Sequence, residues 1–337
     1  MEKSGVDTKP YGKIGVIGGG AWGTALALVA ASAGRETLLW ARESGVVEGI
    51  IGDHRNARFL PGIPLPSSLR ATGDLAETAK ADALLLVVPA QHLRSSLQAL
   101  APLIADGTPL VLCAKGIERG TGKLLTEILG EVAPRAEAAI LSGPSFARDV
   151  AKGLPTAITI AARLDVAQAL QASLAHAQFR PYASDDVTGV ALGGAAKNVY
   201  AVGCGIADGL GLGESARAAL LTRSFAELAR LGEALGAKAE TLMGLSGLGD
   251  LVLTASSPSS RNFAFGLKLG RGTPLSELRA PGTPLAEGVE TAPALVARAR
   301  QHNVELPIAE TIAAVLDGAL PAGQALDRLM SRPLRPE

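Results

Sequence analysis

Lys197 is the one charged residue in the apolar stretch 187–206. Its neighbours at helical spacing, Gly193 and Tyr200 among them, are small or apolar. A lysine surrounded in this way loses hydration, and desolvation lowers the pKa of the amine toward the range where it exchanges protons near neutral pH. We therefore predict a catalytic or anion-binding role for Lys197. The alternative is a solvated or snorkelling side chain, which is the ordinary state of a lysine.

Asp250 closes the run 244–250, whose three glycines allow the backbone to approach its surroundings closely. One interpretation is a helix N-cap, a position that favours aspartate. We favour the other, in which the Asp250 carboxylate orients Lys197 and hydrogen-bonds a substrate hydroxyl. Asn198 adds hydrogen-bond donors and acceptors beside Lys197, but adjacent helix positions point about 100° apart and can serve different ligands.

Ser260, Arg261 and Asn262 follow a loop rich in serine and proline and open a predicted helix at Phe263. Backbone N–H groups at a helix start, together with a guanidinium, suit a phosphate group. A capped and solvated helix start has the same residue types. We favour phosphate binding.

A glycine-rich turn near the N-terminus predicts a second site. The apolar run 13–17 leads into Gly18-x-Gly20-x-x-Gly23 and then into a helix-forming run. Gly18 makes the tight turn, Gly20 lets the backbone approach a pyrophosphate, and Gly23 lets the helix lie close to the sheet with its N-terminus toward the phosphates. This context predicts bound NAD(P) or FAD, with a purely structural glycine-rich turn as the alternative.

The end of the second predicted strand bears on the choice of cofactor. No acidic residue stands at its tip, where an NAD-specific site places Asp or Glu on the ribose hydroxyls. Arg42 instead offers a guanidinium to a 2′-phosphate. We expect NADP(H) to be accepted and preferred over NAD, although a shift of one residue in the turn would bring Glu43 to that place and favour NAD.

Composition argues against several other kinds of chemistry. Lysine plus arginine and aspartate plus glutamate both number 32, so the formal net charge is zero and no global field attracts nucleic acid or an anionic membrane. The four histidines and two cysteines lack metal-ligand spacing, and none pairs with a nucleophile motif. We therefore predict no metal site, no nucleic-acid partner and no membrane insertion, and lysine is the natural proton donor for carbonyl reduction.

The spacing of apolar residues predicts an α/β fold, an N-terminal Rossmann-type doubly wound parallel sheet followed by an all-α domain. The predicted strands are 13–17, 36–40, 83–88, 109–113, 138–141 and 156–160. The helices predicted to cover the sheet are 21–33, 74–80, 92–101, 121–131 and 165–175. The helices predicted for the second domain are 187–207, 215–235, 260–269, 291–302, 308–317 and 322–330.

These patterns place a dinucleotide-binding domain at 11–186 and a helical substrate and catalytic domain at 187–332. Three predicted strands end in unusual sequences, Pro89-Ala90-Gln91, Lys115-Gly116 and the run 142–145. Ligands of such sheets bind outside the carboxyl ends of the strands, so all three are candidates to line one crevice around the cofactor.

The N-terminal residues are polar and lack the apolar core of a signal peptide, which predicts a disordered tail and a cytoplasmic protein. The stretch 187–206 carries Lys197 near its centre and several glycines, so a buried soluble helix explains it better than a membrane span.

Seven motifs, taken in order, resemble bacterial NAD(P)-dependent glycerol-3-phosphate dehydrogenase from about Lys13 to about Leu329. They are Gly-Gly-Gly-Ala-Trp-Gly-Thr-Ala at 18–25, Ala-Lys-Gly-Ile-Glu at 114–118, Leu-Ser-Gly-Pro-Ser-Phe-Ala at 141–147, Gly-Gly-Ala-Ala-Lys-Asn at 193–198, Gly-Leu-Gly-Asp at 247–250, Ser-Arg-Asn at 260–262 and Glu-Gly-Val at 287–289. The resemblance implies reversible hydride transfer between dihydroxyacetone phosphate and sn-glycerol 3-phosphate, feeding glycerophospholipid synthesis. A homodimer is one assembly compatible with it.

Carried over position by position, the resemblance implies Lys197 as proton donor and acceptor. The other residues implied to bind substrate are Lys115, Gly143, Ser145, Asp250, Ser260, Arg261 and Asn262. Those implied to contact the cofactor beside the turn glycines are Ala21, Trp22, Arg42, Lys115, Ala147, Arg261, Leu285 and Glu287. Two positions differ from the residues more common in the family, which has serine more often at the position of Ala21 and serine or threonine at that of Ala114. The loss at Ala21 removes a hydroxyl near the pyrophosphate, but backbone N–H groups bind phosphate without it.

Two other function classes have sequence features in common with this chain. A β-hydroxyacid or 6-phosphogluconate-type dehydrogenase also joins a Rossmann domain to a helical domain around a lysine. A dinucleotide-sensing protein without catalysis is the other, and it should lack a desolvated lysine, so Lys197 and Asp250 argue against it.

Overall fold

The computed structural model of the chain describes residues 9–283 and 286–333. Its sheet has eight strands in the order β3-β2-β1-β4-β5-β6-β7-β8. The strands are β1 Lys13–Ile17, β2 Glu36–Trp40, β3 Arg70–Thr72, β4 Ala83–Leu86, β5 Pro109–Leu112, β6 Glu137–Ser142, β7 Thr156–Ala161 and β8 Phe179–Ser184. The predicted class, a Rossmann-type sheet followed by a helical part, is confirmed.

All neighbouring strands in this sheet are parallel except β6 and β7, which run antiparallel from the pairing of Ile140 with Ala161 to that of Ser142 with Thr159. The sheet is thus mainly parallel, as predicted, with one antiparallel pair that the sequence did not indicate. The helix between them, Ala147–Ala151, is about 7.5 Å long. It is too short to carry the chain back along a strand of about 20 Å.

Two strands were not predicted, β3 and β8. The first has only three residues. The second carries Pro181 in its interior, a residue that removes a backbone donor and is tolerated because β8 lies at the edge of the sheet.

Helices α1 to α7 accompany the sheet, and its strand centres are fully buried, as at Val16, Leu85 and Val111. The helices are α1 Ala21–Ser32, α2 Ser44–Gly52, α3 Leu75–Thr78, α4 Leu93–Leu100, α5 Leu125–Val132, α6 Ala147–Ala151 and α7 Leu164–Leu174. Of these, α2 and α6 were not predicted. The first is rich in glycine and valine, poor helix formers that tertiary contacts must support.

The helical part consists of α8 to α16. They are α8 Val187–Gly209, α9 Gly213–Ala234, α10 Ala239–Met243, α11 Asp250–Ser256, α12 Arg261–Gly270, α13 Leu275–Leu278, α14 Glu287–Gln301, α15 Pro307–Leu316 and α16 Ala325–Met330. α8 and α12 touch backbone to backbone, because a Cβ on Gly205 would lie 2.1 Å from the carbonyl oxygen of Phe263. Helices α10, α11 and α13 were not predicted, being short or flanked by glycine and proline.

α8 is the one helix among the described residues that is long and apolar enough to cross a membrane, and its most apolar window is wholly buried inside the protein. A core helix passes the same test of length and composition. Its burial agrees with the interpretation of 187–206 as an internal helix.

The described chain divides into two compact units. One contains the sheet, with residues up to Ala114 and Leu125–Val190, and the other contains Lys115–Leu124 together with the chain from Ala191 onward. The division into 11–186 and 187–332 groups Lys115–Leu124 with the sheet, whereas in the structure these residues belong to the helical unit. Lys115 therefore belongs to the helical unit, although it stands only three residues after the end of β5.

Candidate active site and cofactor site

Two lysines share one buried carboxylate in the helical unit. Lys197 Nζ on α8 lies 2.5 Å from Asp250 Oδ1, and Lys115 Nζ lies 2.7 Å from Asp250 Oδ2. The side chains of Lys197 and Asp250 are only 7% and 1% exposed, and that of Lys115 is 15% exposed. A buried carboxylate between two ammonium groups fixes both of them in position.

Thr254 is the fourth member of this cluster, and sequence reasoning missed it. Lys197 Nζ donates to Thr254 Oγ1 at 2.8 Å, and the Thr254 hydroxyl lies 3.3 Å from Asp250 Oδ1. Thr254 follows Asp250 by four residues on α11, the spacing that places side chains on one helix face. The four-residue spacing of Asp250 and Thr254 is informative only if the segment is known to be helical, and α11 was not predicted.

The surroundings move the pKa values of the cluster in a way that suits proton transfer. Burial lowers the pKa of Lys197 to about 7; the Asp250 carboxylate opposes this and the Lys115 ammonium adds to it. Burial alone would raise the pKa of Asp250, but the two ammonium groups outweigh it and leave that pKa below its ordinary value. Near neutral pH the lysine can therefore give or take a proton while the carboxylate stays ionised.

A π-helical turn, Leu245–Gly249, sets the direction of Asp250. It is pressed against α8, since a Cβ on Gly193 would lie 2.7 Å from the carbonyl oxygen of Ser246. Gly247 must also lack a side chain, because a Cβ there would lie 1.9 Å from the carbonyl oxygen of Leu242. The helix N-cap interpretation of Asp250 is wrong, because Gly249 occupies that position and the Asp250 side chain bonds lysines.

Asn198 serves a different partner from Lys197. Its Nδ2 donates to the carbonyl oxygen of Lys115 at 3.2 Å, and its Oδ1 accepts from Asn262 Nδ2 at 2.9 Å. Asn262 Oδ1 in turn accepts from Gly288 N, at the start of α14, at 2.9 Å. One N–H of Asn262 remains for a ligand, so much of the capacity of this amide goes into joining α8, α12 and α14.

Ser260, Arg261 and Asn262, the residues predicted to bind phosphate, stand at the start of α12, which begins at Arg261. Ser260 is the N-cap, and its hydroxyl accepts from Phe263 N at 3.3 Å. Arg261 is exposed and makes no hydrogen bond or ion pair with another residue in the described ranges. The capped helix start and a guanidinium available to an anion are thus both present. Glu287 begins α14, while Leu285 lies outside the described residues.

The glycine-rich turn of the sheet unit has the geometry of a phosphate cradle. Gly18 has φ 128°, and a Cβ there would lie 2.5 Å from the carbonyl oxygen of Val87. A Cβ on Gly23 would lie 1.8 Å from the carbonyl oxygen of Gly18, whereas one on Gly20 would meet nothing within 4 Å. Among the described residues, Gly20 N and Ala21 N donate no hydrogen bond. The turn is thus tightly packed at Gly18 and Gly23, whereas it has open space at Gly20 and two backbone N–H groups without acceptors. This arrangement fits a pyrophosphate. Trp22 packs against the sheet core.

Arg42 and Glu43 lie side by side after β2. Their side chains are 84% and 30% exposed, and Arg42 Nη2 lies 3.3 Å from Glu43 Oε1. An ion pair so exposed is weak. The guanidinium is therefore free to exchange Glu43 for a phosphate.

Gly143, Ser145 and Ala147 follow β6 in the sheet unit. Gly143 has φ 148°, and a Cβ there would lie 2.8 Å from Ile158 Cα. The Ser145 hydroxyl donates to the carbonyl oxygen of Gly143 at 3.0 Å. Ala147 begins α6, which packs against α1. These three residues thus lie on a short connection held against the helix that follows the glycine-rich turn.

Comparisons with known proteins cover nearly the whole chain. A family model described as the N-terminus of NAD-dependent glycerol-3-phosphate dehydrogenase matches residues 13–167, and the corresponding C-terminus model matches 186–327. The chain is 58% identical to glycerol-3-phosphate dehydrogenase [NAD(P)+] of Parvibaculum lavamentivorans over 331 residues, 98% of this chain and 99% of that protein. It is also 58% identical to the enzyme of the same name from Bradyrhizobium sp., over 96% of this chain and 98% of that protein.

A crystal structure of glycerol-3-phosphate dehydrogenase from Coxiella burnetii is similar in fold. Its TM-score is 0.90 at 38% sequence identity, with 96% of this chain and 99% of that chain covered. The similarity therefore extends over both units of the chain.

Proposed function

The chain belongs to the NAD-dependent glycerol-3-phosphate dehydrogenase family, and we propose that it interconverts dihydroxyacetone phosphate and sn-glycerol 3-phosphate with NAD(P)H. The observation that carries this is the Lys197 ammonium, buried and held by Asp250 and Thr254, on a chain that also bears a dinucleotide cradle. We further propose a cytoplasmic enzyme that supplies glycerophospholipid synthesis.

When bound, the reduced nicotinamide supplies a hydride for C2 of the ketone. The cradle of Gly18, Gly20 and Gly23 would hold the pyrophosphate, with donors from Gly20 N and Ala21 N. The remaining residues proposed to contact the cofactor are Trp22, Arg42, Lys115, Ala147, Arg261, Leu285 and Glu287.

Lys197 is the proposed proton donor to the oxygen on C2 as negative charge develops there. Asp250 holds the ammonium in place and is proposed to accept from a substrate hydroxyl. Lys115, on the other carboxylate oxygen, adds positive potential that favours the alkoxide. In the reverse direction neutral Lys197 takes the proton from the alcohol.

Arg261 is the proposed main contact to the substrate phosphate, because its guanidinium has no partner among the described residues. The other residues proposed to bind substrate are Gly143, Ser145, Ser260 and Asn262, the last through its remaining N–H.

We also propose that the protein is a homodimer, which a measurement of its molar mass in solution would test directly. The proposed domains are residues 11–186 and residues 187–332.

The proposed substrate is tested by following NADPH oxidation with dihydroxyacetone phosphate, with unphosphorylated dihydroxyacetone, and with a panel of β-keto acids. We expect turnover with the phosphorylated ketone and kcat/KM far lower with dihydroxyacetone. Preference for a β-keto acid would indicate a β-hydroxyacid dehydrogenase instead. Binding of NADPH without turnover of any ketone would indicate a dinucleotide sensor.

The two directions should depend on pH in opposite senses around the pKa of Lys197, about 7. Reduction needs the ammonium, so kcat/KM for dihydroxyacetone phosphate should fall as pH rises above that value. Oxidation of glycerol 3-phosphate needs the neutral amine and should rise through the same range. Lys115→Gln removes a charge that lowers the pKa of Lys197, so the inflection should move to higher pH. Profiles with no inflection near neutral pH in either direction would contradict the assignment.

Arg42→Ala should lower the ratio of kcat/KM with NADPH to that with NADH, because the guanidinium is proposed to bind the 2′-phosphate. Wild-type protein should favour NADPH. Glu43→Gln is the matched variant, since it removes the competing carboxylate 3.3 Å away, and it should leave the preference unchanged or strengthen it. An unchanged ratio in Arg42→Ala would show that Arg42 does not read the phosphate.

A further inference from the structure

A buried amide outside the predicted site residues holds the glycine-rich turn from behind. Asn56 is 1% exposed. Its Nδ2 donates to the carbonyl oxygen of Gly19 and to Thr24 Oγ1, both at 2.8 Å, and its Oδ1 accepts from Phe59 N at 3.2 Å. Both donors of the Asn56 amide are thus directed at the turn and at the first turn of α1.

The carbonyl that Asn56 binds differs from the next one along the chain. The Gly20 carbonyl accepts from Thr24 N at 2.9 Å, as the first acceptor of α1, and from Thr24 Oγ1 at 2.9 Å. The Gly19 carbonyl precedes the helix, and within 9–283 and 286–333 its hydrogen-bond donor is Asn56. The helix therefore fixes one peptide plane of the turn, and Asn56 fixes the one before it.

The orientation of a peptide carbonyl decides where the next N–H points. In a planar trans peptide the C=O and the following N–H point in opposite directions. Because Asn56 draws the Gly19 carbonyl to itself, Gly20 N–H points to the opposite side. Neither Gly20 N nor Ala21 N has an acceptor among the described residues, and a Cβ on Gly20 would meet nothing within 4 Å, so there is open space beside the turn.

We propose that Asn56 is a positioning residue for the cofactor pyrophosphate, which aligns the Gly20 N–H with that of Ala21 before the dinucleotide binds. The proposal rests on the proposed function only in requiring that a dinucleotide binds this turn. Without Asn56, the Gly19–Gly20 peptide can rotate, and glycine offers little resistance to such rotation. Preorganised donors would then be lost at the position where phosphate charge must be met.

The test is equilibrium binding of NADPH, followed by the fluorescence of its nicotinamide, to wild-type protein, Asn56→Ala and Asn56→Asp. Each variant removes both donors and leaves the Gly19 carbonyl without its partner, so the Kd should rise about 10-fold or more. The KM for NADPH should rise with it, while kcat and the KM for dihydroxyacetone phosphate change little.

Two probes separate positioning from a general loss of structure. 2′-Phospho-ADP-ribose contains the pyrophosphate and should bind the variants as weakly as NADPH does. 2′-AMP lacks the pyrophosphate, and its Kd should stay at the wild-type value. Ser173→Ala is the matched control, because Ser173 is also fully buried in the sheet unit and bonds Tyr11 N and the Ala169 carbonyl. It should lower Tm without changing the Kd for NADPH.

Thr24→Val keeps the shape of the side chain and removes the oxygen that Asn56 and the Gly20 carbonyl share. Thr24→Val replaces Asn56→Ala in the test if Asn56→Ala does not fold. It should weaken NADPH binding, whereas Thr24→Ser should bind NADPH as wild-type protein does. A folded Asn56 or Thr24→Val variant with wild-type Kd would overturn the proposal, as would equal weakening of 2′-AMP. Wild-type protein that binds neither NADPH nor NADH would instead refute the proposed function.

Discussion

Lys197→Ala should lower kcat by about 10²–10⁴-fold, the usual contribution of a general acid or base. The substitution removes the ammonium that Asp250 and Thr254 hold at 2.5 and 2.8 Å and leaves Asp250 paired with Lys115. Since the glycine-rich turn belongs to the other unit of the chain, NADPH should bind Lys197→Ala with a Kd close to that of wild-type protein.

A loss of folding is separated from a loss of the proton donor by two further measurements. Lys197→Met keeps the length of the side chain without the charge and should be as inactive as Lys197→Ala. Small primary amines added to Lys197→Ala should restore part of the turnover, and the inflection near pH 7 should be gone. Near-normal kcat in a folded Lys197→Ala protein would show that another group transfers the proton.

Arg261→Ala should reduce kcat/KM for dihydroxyacetone phosphate by about 30- to 1000-fold, which corresponds to about 2–4 kcal/mol for a lost charged contact. The side chain has no partner among the described residues, so its removal leaves no buried charge behind and should not lower Tm. For unphosphorylated dihydroxyacetone, kcat/KM should fall much less.

Arg271→Ala is the matched control for Arg261→Ala, because Arg271 follows the other end of the same helix, α12. It should leave both substrates unaffected. Equal losses on the phosphorylated and unphosphorylated ketone in Arg261→Ala would indicate that Arg261 serves the cofactor or the fold rather than the substrate phosphate.

Local sequence patterns were enough to predict the fold class and the candidate lysine. Short apolar runs and the glycine-rich turn predict strands and a dinucleotide cradle because strand and helix periodicity are local properties. The prediction that Lys197 is desolvated needed only its neighbours along α8, and the structure buries it. The predicted proximity of Asp250 to Lys197 is present in the structure, where Lys197 Nζ lies 2.5 Å from Asp250 Oδ1.

Other parts of the site were decided only by tertiary contacts, between residues far apart in sequence. Lys115 meets Asp250 across 135 positions, Asn56 meets Gly19 across 37, and neither pairing leaves a periodic signal. Thr254 was missed because α11 follows a π-helical turn whose glycines are typical of a loop, so no helix was predicted there. The strand β8 was missed because its proline is acceptable only at a sheet edge.

The sequence by itself thus determined which residues could do chemistry and the elements that carry most of them, since both follow from side-chain type and local spacing. The tertiary structure decided which charges share a carboxylate, and through burial and the neighbouring Lys115 it moved the pKa of Lys197 to about 7. That shift depends on desolvation and on distances between ammonium and carboxylate groups, quantities that exist only once the helices have packed.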